Sequence, residues 1–236
     1  MGFEVERLSK RFGDVTALDG VSFQVRDGEV LGLIGPNGAG KTTLFECMAG
    51  VLPADGGVLR TEGREATMQE RHRILFYVPD HIAPWGSQPV GWALDYTVGF
   101  FGGRGDLREA VVAQLDLGGL LDRPIAALSK GQRKRALLAI GLLARQRALL
   151  IDEPFDGLDL RQTREVAAAL RAHCARGRTL FLSIHQIGDA ARICDRFVLL
   201  SNGRVRGEGT IAELAEHAAS RGAAGSSLEE VFLALT

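Results

Sequence analysis

Apolar positions along this chain follow two rhythms. Short unbroken apolar runs at residues 30–34, 74–78, 149–151 and 179–183 have the length and composition of strands buried on both faces. Briefer β-like runs lie near residues 3–5, 21–25 and 58–60, several of them set off by turn pairs such as Asp27-Gly28 and Asp55-Gly56. Residues 196–200 and 204–206 flank Asn202-Gly203, a strong hairpin signal. Helical stretches are predicted near 106–117, 130–146, 160–176 and 186–194. Strand character is sparse from 81 to 145 and returns at 148. The pattern predicts one domain over 1–236, with an α/β core (1–80 and 146–210) interrupted by a helical lobe (81–145). A helical tail follows (211–236), with a loop at 220–227 and a last helix opened by the capping pair Ser227 and Glu230. No internal repeat or heptad array is visible.

One segment carries chemistry at once. Gly35-Pro-Asn-Gly-Ala-Gly-Lys-Thr-Thr43 fits G-x-x-x-x-G-K-[ST], and it lies between an apolar run and a helix-like stretch. A strand, a glycine-rich turn and a helix start aim successive backbone N–H groups at one point. Gly35, Asn37, Gly38, Ala39 and Gly40 would wrap phosphate oxygens. Lys41 would reach the β- and γ-phosphates, Thr42 would hold Mg²⁺, and Thr43 completes the turn. An ordinary glycine-rich βα turn needs no lysine and hydroxyl at this offset. The segment predicts a site for a nucleoside triphosphate.

Four further motifs follow in order: Leu128-Ser-Lys-Gly-Gln-Arg133 before a long apolar helix, Ala148-Leu-Leu-Ile-Asp-Glu-Pro154, Phe155-Asp-Gly-Leu-Asp159, and Ser183-Ile-His185. Together with the phosphate loop they resemble the ATP-binding cassette family, the nucleotide-hydrolysing subunits of transporters. The resemblance runs from about the first strand to the end. It implies a P-loop NTPase core with a mixed, mainly parallel sheet, an antiparallel β subdomain and an inserted helical subdomain. It also implies an ATPase using ATP and Mg²⁺. Asp152 would bind the metal, Glu153 would serve as general base for the attacking water, and His185 would contact the γ-phosphate. Ser129, Gly131 and Gln132, at a predicted helix start, would cap the ATP of an opposite subunit in a head-to-tail dimer. Asp159 would connect the two sites.

Some positions depart from that family or leave two readings open. Lys130 stands where glycine is usual. Asp80, in Tyr77-Val-Pro-Asp-His81, stands where the family carries a glutamine touching Mg²⁺. An aspartate there could still coordinate the metal but adds an anion beside Asp152. Gln88 is a weak substitute, more simply read as a loop residue. Phe12 is placed to stack on adenine or to pack at the sheet edge. Trp92, Tyr96 and Phe100 recur at i, i+4 and i+8, lining one helix face. That face is read first as the helical lobe's own core, and alternatively as a groove for a membrane partner.

Composition adds limits. The 236 residues are 46% apolar and 24% charged with formal net charge −1, so no overall basic field points to nucleic acid. Lysine occurs only at 10, 41, 130 and 134; the other cations are arginine. Cys47, Cys174 and Cys194 form no C-x-x-C pair and read as reduced thiols within helices. His72, His81, His173 and His217 are expected at the surface. Glu4 and Glu6 argue against a signal core at the start, and the longest apolar stretch, 136–144, is too short to span a bilayer.

The resemblance therefore implies an integral membrane transporter subunit and a second ATP-binding subunit as partners, no nucleic acid, and a cytoplasmic place on the inner face of the cell membrane. The tail around Ser227-Leu-Glu-Glu-Val-Phe232 looks most like the bacterial exporter branch. The alternative is a non-transport cassette ATPase acting on DNA or ribosomes. Such proteins usually need coiled coils or tandem cassettes, and neither is visible.

Overall fold

The structure is a computed structural model that describes residues 2–80, 82, 84–102, 105–220 and 227–235. His81, and residues 221–226 of the expected loop, lie outside the described residues. The strands are β1 (Phe3–Phe12), β2 (Val15–Val25), β3 (Val30–Ile34), β4 (Gly56–Thr61), β5 (Arg64–Glu65), β6 (Leu75–Val78), β7 (Ala148–Asp152), β8 (Thr179–Ile184), β9 (Arg196–Ser201) and β10 (Arg204–Gly209). The helices are α1 (Lys41–Ala49), α2 (Met68–Ile74), α3 (Val90–Phe101), α4 (Gly105–Gln114), α5 (Lys130–Leu143), α6 (Leu160–Cys174), α7 (Ile187–Ile193), α8 (Ile211–Ser220) and α9 (Leu228–Leu235).

The apolar runs assemble a sheet of order β10-β9-β3-β8-β7-β6, parallel except for β10. Side chains alternate across it. Val30 and Ile34 of β3 join one buried cluster with Leu180, Leu182, α5 and α6, whereas Leu31 and Leu33 join Phe181, α1 and the second sheet. Both faces are covered, which is why these strands read as continuous apolar runs. The second sheet, β2-β1-β4-β5, is antiparallel throughout. α3, α4 and α5 are inserted between β6 and β7. The fold is the P-loop core with its mainly parallel sheet, antiparallel sheet and helical insertion.

β1 and β2 run much longer than the runs at 3–5 and 21–25. Their outer halves are largely solvent-facing, and register shifts interrupt the pairing near Arg7, whose φ is 49°. A ribbon with one wet face and a bulge shows no long apolar alternation to read. α2 was also invisible by periodicity because it buries no residue; only its Thr67–Glu70 capping box marks it.

Close packing joins the helical insertion to the core. A Cβ on Gly141 of α5 would lie 2.6 Å from Val78 of β6, so glycine lets helix and strand approach. The Arg178 guanidinium donates to the carbonyls of Leu142 at 2.7 Å, Ala144 at 2.7 Å and Gln146 at 2.8 Å, satisfying acceptors that the end of α5 leaves open. Buried Arg196 of β9 bonds Glu29 at 3.1 Å and Glu208 at 2.7 Å, and it reaches the second sheet by donating to the Gln24 carbonyl of β2 at 3.4 Å. At the β9–β10 hairpin, the Gly203 N–H donates to the Ala39 carbonyl at 3.1 Å, and its carbonyl accepts from Asp19 N–H at 2.8 Å.

Three expectations are corrected. Trp92, Tyr96 and Phe100 are not the lobe's core: they are 41%, 46% and 70% exposed. The opposite face of α3, with Val90, Ala93 and Leu94, packs inward. The period marked a real face of the helix, but periodicity does not say which face is buried. His173 is buried, not at the surface, because it shares the inward stripe of α6 with Val166, Ala169 and Leu170. Cys194 lies just past α7, not within a helix; all three cysteines are free and buried. Among the described residues no helix is long and apolar enough to cross a membrane.

Candidate functional site

β3 ends at Ile34 and α1 begins at Lys41, and the turn between them is shaped by glycine. A Cβ on Gly35 would lie 2.3 Å from the Leu200 carbonyl, and Gly40 has φ 103° with its missing Cβ 2.5 Å from the Ala17 carbonyl. Neither position accepts a side chain without backbone movement. No side chain caps α1, so its first-turn N–H groups and its positive dipole end remain available to an anion. Lys41 folds back on the loop, its Nζ 2.8 Å from the Gly35 carbonyl and 3.3 Å from that of Pro36.

The loop borders a cleft of about 660 Å³ whose walls include Asn37, Gly38, Gly40, Lys41, Thr42, Thr43, Asp80, Asp152, Glu153 and His185. Its far wall is the C-terminal ends of β7 and β8. The Thr42 hydroxyl donates to Asp152 Oδ2 at 2.8 Å, and the Ser183 hydroxyl donates to Asp152 Oδ1. Glu153 then turns out of the strand at φ 49°, a left-handed conformation uncommon for a residue with a side chain. That turn sends Glu153 away from Asp152: Oε1 lies 3.9 Å from Lys41 Nζ, and Oε2 lies 2.6 Å from His185 Nδ1. The Glu153 N–H is anchored on Ser183, 3.1 Å from its carbonyl and 3.2 Å from its hydroxyl. The adjacent acids thus face two different groups because Glu153 leaves the strand through a left-handed turn.

The field of this acid end reaches its neighbours. Burial, with the Asp152 charge second, raises Glu46 above the usual carboxylate range. Burial, followed by the charges of Asp152 and Glu46, pushes the Tyr77 phenol up. Asp80 does not meet Thr42: its carboxylate pairs with Lys134 of α5, and both side chains are almost wholly buried.

Other expected residues lie off the cleft wall. Gly35 and Ala39 form the inner side of the loop. Phe12 is half-exposed, with Lys10 Nζ 5.6 Å from its ring centre, and pairs with Val15, which does line the cleft. The exposure excludes sheet-edge core packing for Phe12. Ser129 and Gln132 close a capping box at the exposed start of α5. Gly131 presses on the next loop, where a Cβ would lie 2.7 Å from the Gly157 carbonyl. Lys130, in the unusual place for a lysine, reaches Asp156 at 2.5 Å; that bond holds Asp156 below the ordinary carboxylate range. Asp159 caps α6, accepting from Gln162 N–H at 2.8 Å. Gln88 serves a turn, its N–H donating to the Trp85 carbonyl at 2.8 Å.

The family profile described as ABC transporter matches residues 18–156, well over half of the chain. The chain belongs to the ABC transporter family. It is 34% identical over 226 residues to the sulfate/thiosulfate import ATP-binding protein CysA of Synechocystis sp., covering 93% of this chain and 64% of that protein. It is 34% identical over 222 residues to the Nod factor export ATP-binding protein I of Ralstonia nicotianae, covering 90% of this chain and 68% of the relative. The chain thus spans about two-thirds of the length of these relatives, and one is named for import, the other for export. Among solved structures, one described as the ATP binding subunit of an ABC transporter superposes with TM-score 0.88 at 28% identity, covering 100% of this chain and 99% of that one. Family and phosphate loop together make this an ATP-hydrolysing cassette.

The residues present fit a magnesium nucleotide. The uncapped start of α1 suits phosphate oxygens, and the Thr42 hydroxyl beside the Asp152 carboxylate suits a hard cation that keeps most of its ligands from phosphate and water. Among the described residues no group of three or more His, Cys, Asp and Glu could hold a metal ion. The sequence motifs give no functional role to Ser183, Tyr77 or Lys134. Ser183 stood two residues before His185 in a motif already noticed, and a polar residue inside a fully buried strand is the signal that could have found it.

Proposed function

We propose that this chain is the ATP-hydrolysing subunit of a membrane transporter, working as a head-to-tail pair. The observation that carries this reading is the meeting of Thr42 with Asp152 on one side of the cleft and of Glu153 with His185 on the other, with Lys41 between them.

In this reading Lys41 and the N–H groups of residues 37–43 bind the phosphates, and the Thr42 and Asp152 oxygens hold Mg²⁺. That cation, when bound, neutralises phosphate charge and aligns the terminal phosphoryl group. Glu153 accepts the proton of the attacking water, and His185 holds the Glu153 carboxylate in place while facing the terminal phosphate. Phe12, on the rim beside Val15, offers a ring face to adenine. Ser129, Gly131 and Gln132 close the nucleotide of a second copy, since in their own copy they lie off the cleft wall. Asp159 links the two sites.

The helical part (81–145) is the coupling lobe, the α/β core (1–80 and 146–210) the hydrolytic one, and 211–236 a C-terminal helical tail. The exposed aromatic face of α3 receives the membrane subunit, placing the chain on the inner face of the cell membrane. Export is the finer reading, supported by the resemblance of residues 227–232 to that branch. The test is ATP turnover by the purified chain with and without Mg²⁺, together with co-purification from membranes. Turnover without any membrane protein bound in detergent extracts would remove the transport half of the proposal.

A further inference from the structure

Asp80 and Lys134 form a nearly dry ion pair at the edge of the cleft. Asp80 follows β6, in the α/β core, and Lys134 lies on α5, the main helix of the insertion. Their side chains are 9% and 4% exposed. Lys134 has a second bond: its Nζ donates to the main-chain carbonyl of Asp152 at 3.3 Å. One ammonium therefore touches both the residue expected as an extra metal ligand and the peptide that joins Asp152 to Glu153. A buried pair of this kind is a weak source of stability, because both ions give up water. Its use lies in fixing one arrangement of the parts it joins.

The helix carrying Lys134 starts at Ser129, five residues and about 7.5 Å away along a rise of about 1.5 Å per residue. Gly141, further along, lets the same helix lie tightly on β6. A displacement at the start of α5 therefore reaches Lys134 as a rigid-body shift, and through it the Asp152–Glu153 peptide and Asp80. We infer that Lys134 is a positioning residue: it commits Asp80 to an inter-lobe latch, in place of a magnesium ligand, and sets the angle at which β7 delivers Asp152 and Glu153. This rests on the nucleotide reading above.

The test uses the full chain and four forms: unaltered, Lys134→Gln, Asp80→Asn and the double variant. The double variant leaves no unpaired buried charge and keeps a hydrogen-bonding pair, so it remains informative where a single variant does not fold. Two quantities are read: steady-state kcat and KM for ATP, and the ratio of ATP affinity in Mg²⁺ to that in EDTA.

Lys134→Gln is expected to lower kcat about 100-fold with KM within about threefold, as misplacement of reacting groups does. The double variant is expected to recover at least about tenfold of that loss, with its Mg²⁺/EDTA affinity ratio unchanged. A drop of about tenfold or more in that ratio for the double variant would make Asp80 a metal ligand and overturn the inference. So would an unimpaired Lys134→Gln enzyme, or a double variant no better than Lys134→Gln. If the unaltered chain neither binds nor turns over ATP, the nucleotide reading itself has failed, which is a separate result.

Discussion

Glu153 and His185 hold each other at 2.6 Å across the ends of two adjacent parallel strands, with Glu153 swung outward by its left-handed backbone. The carboxylate is mostly buried and the imidazole half open to solvent. The pair is therefore built to face something entering the cleft. Glu153→Gln keeps the shape and the hydrogen-bonding reach but removes the base. Turnover should fall by about 10²- to 10⁴-fold while ATP affinity stays within about threefold. Phosphate-release kinetics and nucleotide titration check both halves. Gel filtration with ATP should show the variant as a dimer; persistence as monomer counts against the paired cassette.

Ser183 is fully buried and bonded to both acids, its hydroxyl donating to Asp152 and accepting from the Glu153 N–H at 3.2 Å. Ser183→Ala removes a partner from each. Loss of a buried hydrogen-bond partner costs about 1–3 kcal/mol of stability. Because the same hydroxyl orients the proposed metal carboxylate, activity should fall about tenfold or more. Denaturant midpoints and ATPase assays separate the two effects; a stable variant with full activity refutes the orienting role.

The aromatic face of α3 stacks on itself in the open, with Trp92 to Tyr96 ring centres 5.3 Å apart and Tyr96 to Phe100 6.2 Å. Phe100, 70% exposed, has little to lose in the folded chain. Phe100→Asp should change stability by no more than about 0.5 kcal/mol, yet it should weaken recovery of the chain with the proposed membrane subunit. Unaltered recovery from detergent extracts would move the docking surface elsewhere.

His173 gives a pH signature. Burial, aided by Arg178 and Arg176, lowers its pKa from 6.5 to about 4. Below 6.5 the unfolded imidazole takes up a proton that the folded one refuses. Stability from this group is full above that pH and declines as pH falls toward 4, by at most about 3 kcal/mol. His173→Gln should flatten that part of the curve relative to the unaltered chain. Urea midpoints measured across the window decide it, and identical slopes would show that the imidazole titrates normally.

What the sequence displayed and what it concealed differ in kind. The phosphate loop is legible because fixed glycine spacing encodes backbone conformation directly, and Gly35 and Gly40 occupy positions that tolerate no Cβ. The buried strands are legible because both faces need apolar residues. The acid pair Asp152-Glu153 was locatable at a strand end, but the outward turn of Glu153 was not, since nothing local in Asp-Glu-Pro-Phe marks it. Lys134 and Asp80 are separated by 54 positions, and their pairing depends on how a helix lies on a strand. The aromatic positions of α3 announce a face without announcing its direction, and His173, expected at the surface, sits on the inward stripe of α6.

The hairpin tip at Gly203 has a use beyond its turn. Its amide proton rests on the Ala39 carbonyl, inside the loop that would cradle phosphate, while its own carbonyl is held by Asp19 from the other sheet. Any tightening or loosening of that cradle must therefore register in how fast this single proton swaps with deuterium. The molecule carries its own gauge of loop order, readable without a dye or a label.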